Sequence, residues 1–298
     1  MNKTIKQKNY FIQYLIAIRP HHWLKNMLVF VPALTGHMLT PQNLTILAIL
    51  FFSLCCVASG LYLLNDLLDL DKDKRHPTKK DRAIASGFLS IKAAKIYSLS
   101  LIAVGLVSSF SASFEMGMFI SLYVSLVSFY SFYLKRVPFF EAFLLTLVYL
   151  LRIYMGAAVI DTGISEWMLI FPFFFFFFLI LVKRYTELSI YLETNNENPT
   201  GRGYEIQDLN IIQSLGVSSA LASLLVFCLY ISSSKVQALY TNPVYLWAIA
   251  LLGLLWVLNL IVVSNKGKLQ DDPVIFAFTN KTSLSIFLIS ILVVFLSL

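Results

Sequence analysis

Charged residues are scarce in this chain: Asp, Glu, Lys and Arg make up 13% of its 298 residues, against about 25% in an ordinary soluble domain. Cysteine and histidine are scarce too, with three and four residues, and they form neither a CxxC pair nor a histidine set at metal-ligand spacing. This excludes a disulfide framework and a cysteine or histidine metal site. A hydrophobic share of 58% excludes a soluble globular protein.

What the sequence has in abundance is apolar runs long enough to cross a bilayer, which takes about 20 residues. They predict an all-α membrane protein with about nine transmembrane helices in one domain, residues 1–298. Lys25, Asn26 and Pro32 interrupt the first run, which predicts a kinked or partly re-entrant helix. No small-residue cleavage site follows the N-terminal lysines, so we predict no signal peptide. The runs are 23–39, 44–68, 93–113, 116–134, 138–160, 166–188, 210–233, 243–264 and 282–298.

The basic residues indicate how these helices are oriented. With the N-terminus in the cytoplasm, all 23 lysines and arginines except Lys235 and Arg152 fall on the cytoplasmic side, as the positive-inside rule requires. We therefore predict an integral protein of the cytoplasmic (inner) membrane with its N-terminus inside. The net charge of +7 then reflects topology, and we predict no nucleic-acid partner. Two long cytoplasmic loops, 69–92 and 185–209, are predicted to cap this side.

An acidic cluster marks the end of the second predicted helix, where Asp66, Asp69, Asp71 and Asp73 follow Asn65. At about 100° per residue, Asp69 lies about 60° and Asp73 about 20° behind Asp66, so these three share a helix face. Asp71 points away and is expected to face solvent. Hard carboxylate oxygens at the membrane boundary are typical of a Mg²⁺ site, in which the metal also bridges to substrate phosphates. A solvated helix end is the alternative interpretation.

Cations alternate with turn-forming residues just after this cluster, between Arg75 and Arg82. A bound phosphate needs cations as well as a metal, and Arg82 offers a planar fork for two phosphate oxygens while Lys79 offers a point charge. Ordinary positive-inside charge is the alternative for part of this segment. Together, the acidic and basic segments predict a metal–diphosphate site facing the cytoplasm.

Four short motifs of this chain carry a family resemblance: Arg19-Pro20-x-x-Trp23-x-Lys25-Asn26, Asn65-Asp66-x-x-Asp69-x-x-x-Asp73, His76-Pro77-Thr78-Lys79 and Arg82-Ala83-Ile84-Ala85-Ser86-Gly87. They resemble the UbiA superfamily of intramembrane prenyltransferases over nearly the whole chain. The resemblance implies nine helices around a central cavity that opens to the cytoplasmic side. It also implies a diphosphate bound through Mg²⁺ by two aspartate-rich motifs, one after helix two and one after helix six. Many members have proline where Ala83 stands.

The second aspartate motif is absent here, because the end of the sixth run is Lys183-Arg184-Tyr185-Thr186-Glu187-Leu188. Lys183 and Glu187 lie four residues apart on one helix face, and a cationic pair at this place suits an additional phosphate group. A lysine–arginine anchor at the membrane boundary is the alternative. This segment is similar to one branch of the family, the decaprenyl-phosphate phosphoribosyltransferases, as are Tyr130, Lys135, Glu141 and Arg152.

The branch resemblance implies a Mg²⁺-dependent transfer of 5-phosphoribosyl from phosphoribosyl diphosphate to a polyprenyl, decaprenyl-like, phosphate. The lipid phosphate is then the nucleophile, and Asp66, Asp69 and Asp73, with Asn65, hold the metal and the leaving diphosphate. Membrane lipids are partners, and monomer and homo-oligomer both stay open. Arg152, inside the fifth span, is expected to line a polar cavity or to extend toward the outer surface. The substrate-binding candidates are Arg19, Lys25, Asn26, Lys79, Arg82, Tyr130, Lys135, Arg152, Lys183, Arg184 and Glu187.

Two other functions remain as alternatives. The first is the more usual family reaction, in which a polyprenyl diphosphate is joined to an aromatic acceptor such as 4-hydroxybenzoate; the missing second aspartate motif disfavours it. The second is a non-enzymatic membrane transporter. The spans show no inverted repeat, and the charge lies at one membrane face and not at the midplane, which disfavours a transporter.

Overall fold

The computed structural model describes residues 16–75, 79–194, 203–267, 269 and 272–298. The regular structure within these residues is entirely helical, which confirms the predicted all-α fold. Some predictions concern residues outside these ranges. They concern the N-terminal lysines and the predicted absence of a signal peptide, the His76-Pro77-Thr78 part of the third motif, and the middle of the second long loop, 195–202.

The described chain begins with a 3₁₀-helix, Pro20–Phe30, and continues through α-helices that we number in chain order. The α-helices are α1 Val31–Thr35, α2 Pro41–Leu68, α3 Leu70–Arg75, α4 Ile91–Ala112, α5 Phe114–Phe132, α6 Phe140–Val159, α7 Glu166–Thr194, α8 Leu209–Ile231, α9 Ser234–Leu239, α10 Leu246–Asn265, α11 Pro273–Thr279 and α12 Lys281–Ser297.

Hydroxyl side chains fix where several long helices begin. The hydroxyl of Thr40 accepts the backbone N–H of Asn43 at 3.2 Å at the start of α2, and Pro41 occupies the first helical position, where no N–H is needed. Ser90 and Ser113 cap α4 and α5 in the same way. Each cap satisfies a backbone donor that the first turn of a helix leaves without a partner.

Seven described helices are long and apolar enough to cross a membrane, namely α2, α4, α5, α6, α7, α8 and α10. They coincide with the second to eighth predicted runs and make the chain an integral membrane protein. The pair α11 and α12, bent by 76° at its break, gives an eighth if it is one broken span. The first run is instead divided between the 3₁₀-helix and the short α1. Nine full spans are therefore not found in the described ranges. Pro32, which lacks a backbone N–H donor, stands where the 3₁₀-helix gives way to α1.

The helices form two compact units, and each is described by itself. The first unit contains the described residues up to Tyr133 together with Leu151–Gly163. In it, α2 packs along α4, and the 3₁₀-helix and α5 also contact α2. Gly60 and Gly105 permit the close contact of α2 with α4, since a Cβ atom at either would lie 2.7 Å from a backbone oxygen of the other helix.

The second unit contains Leu134–Leu150 and Ile164–Leu298. Here α7 packs along α8, and α10 contacts α8 and α12. Phenylalanines of α7 make ring contacts within the unit: Phe176 stacks on Tyr149 with ring centroids 4.6 Å apart, and Phe175 lies 5.7 Å from Trp256. This packing holds the part of α7 that precedes the basic motif Lys183-Arg184.

Candidate active site

The first unit contains an aspartate cluster, which consists of Asp66, Asp73, Arg19 and Arg82. The Nη2 atom of Arg19 donates to both oxygens of Asp66 at 2.6 and 2.7 Å. The Nη1 atom of Arg82 donates to Asp66 at 3.0 Å and to Asp73 at 2.7 Å. Both carboxylates are buried, and the arginines neutralise them. The structure thus brings together four residues that the sequence singled out.

Three breaks in regular structure assemble this cluster. Asp66 lies in the last turn of α2, and Asp73 lies in the separate short helix α3. Arg82 follows the 3₁₀ turn Lys79–Asp81. Arg19 has a left-handed backbone with φ 52° and precedes the first 3₁₀-helix. This backbone conformation is uncommon in a non-glycine residue. Here it occurs at Arg19, the residue whose side chain binds Asp66.

Asp69 does not continue the helix that contains Asn65 and Asp66. The shared face of three aspartates assumed one continuous helix, but α2 ends at Leu68 and Asp69 is its C-cap, with φ −99° and ψ 10°. The Asp69 N–H donates to the Asn65 carbonyl at 3.0 Å, and the Asp69 carboxylate lies 4.0 Å from Lys72. Within the described residues, no three His, Cys, Asp or Glu side chains are arranged to hold a metal.

The donor chemistry of the aspartate cluster nevertheless fits Mg²⁺. One cationic atom, Nη1 of Arg82, contacts both Asp66 and Asp73, so the two carboxylates already converge on a single positive charge. Mg²⁺ commonly takes one or two carboxylates and completes its octahedral shell with water and substrate phosphates. Asp66 and Asp73 therefore could hold the metal without a third preformed ligand, and a Mg²⁺ role of Asp69 stays a prediction.

Arg152 is buried, and its place in a polar cavity stays a prediction. Its Nε donates to the amide oxygen of Asn26 at 3.0 Å and its Nη2 to the hydroxyl of Tyr123 at 2.7 Å. The amide nitrogen of Asn26 contacts Cys55 Sγ at 3.3 Å. Arg152 therefore ties the first 3₁₀-helix to α5 and α6, and Lys25, beside Asn26, is buried as well.

The other predicted substrate-binding residues of the first unit lie nearer the surface. Lys79 and Tyr130 are partly exposed, in the 3₁₀ turn before Arg82 and near the end of α5. In the second unit, Lys135 is partly exposed in a 3₁₀ turn, Leu134–Arg136. Asp71, expected to face solvent, is exposed.

The second unit contains an Arg184 cluster, which consists of Arg184, Glu141 and Glu187. The guanidinium donates through Nε and Nη2 to the two oxygens of Glu141, at 2.5 and 3.0 Å, and through Nη1 to Glu187 at 2.7 Å. Lys183 donates to Asp272 at 2.8 Å. Glu187 thus pairs with Arg184, three residues away, and Lys183 with Asp272, the carboxylate that begins α11.

Tyr204, in the loop before α8, contacts Glu141 of the Arg184 cluster. Its hydroxyl accepts the backbone N–H of Phe139 at 2.8 Å, and its pKa is raised well above the ordinary tyrosine value by burial and by the nearby Glu141 carboxylate, to which it also hydrogen-bonds. Gly203 allows the close approach, because a Cβ atom there would lie 2.1 Å from the Arg136 carbonyl oxygen. The hydroxyl therefore stays protonated beside Glu141.

Sequence reasoning did not find Asp272, Tyr123 and Tyr204, and it did not identify Glu141 as the partner of Arg184. Asp272 had a local signal, since an aspartate before Pro273 is a typical helix cap, and it does accept the Val274 N–H. The partner contacts join residues 29 to 89 positions apart. Helical periodicity carries no information about such separations.

Comparisons with known proteins agree with this architecture. The family model described as "UbiA prenyltransferase family" matches residues 29–284. Nodulation protein NoeC of Azorhizobium caulinodans is 32% identical over 95% of this chain and 92% of its own length. A solved UbiA homolog from Archaeoglobus fulgidus, bound to GPP and Mg²⁺, superposes with a TM-score of 0.68 at 14% identity, over 95% of this chain and 99% of that one.

A decaprenyl-phosphate phosphoribosyltransferase from Corynebacterium glutamicum is 31% identical over 60% of this chain and 55% of its own length. The protein y4nM of Sinorhizobium fredii is 32% identical over 91% of this chain and 53% of its own length. The chain thus spans about half the length of these two curated relatives.

Proposed function

The chain belongs to the UbiA prenyltransferase family, and we propose that it is a transferase that moves 5-phosphoribosyl from phosphoribosyl diphosphate to a polyprenyl phosphate and releases diphosphate. The observation that carries this choice of donor is the basic pair Lys183-Arg184, about ten residues before the end of α7. Lys183 and Arg184 stand where the family resemblance places a second aspartate motif, and Asp272 and Glu141 hold them there. Two phosphate-bearing substrates bring more negative charge, and so need more cations, than a prenyl diphosphate and an aromatic acceptor without a phosphate group. The Corynebacterium relative supports the same donor by its name.

In the proposed reaction the lipid phosphate is the nucleophile. One of its oxygens attacks C1 of the ribose from the face opposite the diphosphate, and a C1–O bond to the lipid forms with inversion. The C1–O bond to the diphosphate breaks, and the leaving diphosphate keeps the electron pair. A phosphate dianion needs no strong general base, which is consistent with a chain that offers no histidine set for that role.

The aspartate cluster is assigned to the diphosphate. Asp66 and Asp73 would hold Mg²⁺, which supplies positive charge for the leaving diphosphate. Arg19 and Arg82, bound to these carboxylates at 2.6 to 3.0 Å, then become available to the diphosphate oxygens. Arginine suits this exchange, because its planar fork binds carboxylate and phosphate with the same geometry.

We propose that this site faces the cytoplasm, with the N-terminus on the same side, in the inner membrane. The positive-inside distribution of the lysines and arginines supports this orientation. Soluble phosphoribosyl diphosphate would then enter from the cytoplasm, and the polyprenyl phosphate from the surrounding lipid.

The test is transfer of label into lipid. Purified protein in detergent is incubated with Mg²⁺, labelled phosphoribosyl diphosphate and decaprenyl phosphate, and the lipid phase is extracted. We expect label in the lipid, lost with EDTA and in Asp66→Asn. A folded protein that transfers no phosphoribosyl but joins a polyprenyl diphosphate to 4-hydroxybenzoate would refute the donor assignment and restore the more usual family reaction.

A further inference from the structure

The guanidinium of Arg184 has two different carboxylate partners. Glu141 takes the edge formed by Nε and Nη2, with both of its oxygens engaged. Glu187 takes the remaining nitrogen, Nη1, with one oxygen at 2.7 Å. The Nε and Nη2 atoms thus bind Glu141 through two hydrogen bonds, the paired geometry that arginine forms with carboxylates. The Nη1 atom binds Glu187 through one hydrogen bond.

The two partners also differ in burial. The side chains of Glu141 and Arg184 are 0% and 3% exposed, whereas that of Glu187 is 32% exposed. Removing one partner of a buried ion pair is costly, because it leaves an uncompensated charge in a low-dielectric site. A partly exposed carboxylate such as Glu187 exchanges its partner for water at a lower cost. Glu141 is therefore the fixed partner and Glu187 the exchangeable one.

Glu141 is itself held in place. The hydroxyl of Tyr204 hydrogen-bonds to it and accepts the Phe139 N–H, which ties Glu141 to the turn at the start of α6. These contacts orient the Arg184 edge independently of Glu187.

We propose that Glu141 is a positioning residue that presents Nη1 of Arg184 to a phosphate monoester, and that Glu187 occupies this place until the phosphate displaces it. A phosphate dianion brings more charge and more acceptor oxygens than a carboxylate, so it competes successfully for a guanidinium. The identity of the ligand rests on the proposed function, in which the lipid phosphate and the ribose 5-phosphate both carry this group.

The test is equilibrium binding without turnover. Decaprenyl phosphate and ribose 5-phosphate are titrated separately into the purified full-length chain, its Glu187→Gln variant and the matched control Glu166→Gln, an exposed glutamate at the other end of α7. Glu187→Gln removes the competing charge, so the Kd of one probe should fall about fivefold, the effect of one exposed ion pair. The probe that responds identifies the source of the phosphate. Glu166→Gln should change neither Kd.

Glu141→Gln should act in the opposite direction and weaken the same probe at least about tenfold per folded molecule, because Arg184 loses its fixed edge. A purely structural Glu141 would lower the folded fraction and leave the Kd of the folded molecules unchanged. If Glu141→Gln does not fold, the Glu187→Gln titration decides alone.

An unchanged or weaker affinity of Glu187→Gln for both probes would overturn the inference, as would binding of neither probe to the wild-type chain. Failure of the proposed function is separate: it appears as missing transfer of label, whereas the response of Kd to Glu187→Gln requires no reaction.

Discussion

The aspartate cluster and the Arg184 cluster are built with opposite charges at their centres. In the aspartate cluster the carboxylates of Asp66 and Asp73 are 8% and 5% exposed, and their partners Arg19 and Arg82 are 17% and 27% exposed. In the Arg184 cluster the arginine is at the centre with Glu141, and the exposed partner is Glu187. The accessible partner is therefore a cation in the first cluster and an anion in the second.

This difference indicates what each cluster can exchange. A buried carboxylate pair whose arginines lie toward solvent can take up another cation, as a Mg²⁺ site requires. A buried arginine whose glutamate lies toward solvent can take up another anion, as a phosphate site requires. A reaction between two phosphate-bearing substrates needs both. The following predictions test this division of roles.

The largest expected effect is on activity, at the centre of the aspartate cluster. Asp66→Asn removes a charge that binds both arginines and, in the proposed function, would hold the metal, so the transfer rate should fall at least about 100-fold. The rate of label transfer into lipid measures this. Asp71→Asn, at an exposed aspartate five residues along the chain, is the matched control and should leave the rate unchanged. Equal losses in both variants would contradict a specific role of the buried pair.

The next effect is on stability, at the centre of the Arg184 cluster. Glu141→Gln leaves the buried Arg184 with one carboxylate partner fewer and should lower the free energy of unfolding by about 3 to 5 kcal/mol. Glu187→Gln, at the exposed corner of the same arginine, should cost about 1 kcal/mol or less. Denaturant unfolding in detergent measures both. Equal costs would mean that the two glutamates are not a fixed and an exchangeable partner.

Tyr204→Phe should destabilise the chain by about 1 to 3 kcal/mol, because the Phe139 N–H loses its acceptor. The hydroxyl also gives a pH signature. Folding raises the pKa of Tyr204, so the folded state binds this proton more tightly than the unfolded state. The contribution of Tyr204 to stability is therefore fully present below the ordinary tyrosine pKa of about 10 and is lost as the pH rises above it. Stability measured from neutral to alkaline pH should decline less steeply in Tyr204→Phe. Identical slopes would show that folding does not raise the pKa of Tyr204.

The smallest effect is expected at Asp272, beside the Arg184 cluster. Asp272→Asn removes the charge opposite the partly exposed Lys183 but keeps an oxygen for the Val274 N–H, so it should cost less than about 1 kcal/mol. Asp272→Ala also removes the cap and should cost about 1 kcal/mol more. Thermal unfolding of the two variants checks this order. If the two cost the same, the cap contributes nothing.

The sequence was sufficient for the parts of the molecule that local periodicity determines. Seven predicted runs coincide with helices long and apolar enough to cross a membrane. The first run is divided at Val31, next to Pro32, whereas Lys25 and Asn26 lie within the 3₁₀-helix. The choice of Asp66, Asp73 and Arg82 as site residues came from residue chemistry and spacing, and that of Arg19 from the family resemblance; the structure joins all four.

The partners within each cluster could not be obtained in the same way. Helical spacing put Asp69 on the face of Asp66, but α2 ends at Leu68, and no local spacing indicated that Arg184 pairs with Glu141. Such contacts depend on how helices that are distant in sequence pack together, and the helical periodicity of a single sequence does not show this packing.

The central claim is that one cluster exchanges cations and the other anions, and the Mg²⁺ dependence of transfer tests it most directly. The Mg²⁺ concentration for half-maximal transfer, and the KM of the phosphate-bearing substrates, are measured for the wild-type chain, Asp73→Asn and Glu187→Gln. We predict that Asp73→Asn raises the Mg²⁺ requirement, and that Glu187→Gln leaves it unchanged while it lowers the KM of one substrate. A shift of the Mg²⁺ requirement in Glu187→Gln, or none in Asp73→Asn, would contradict this account.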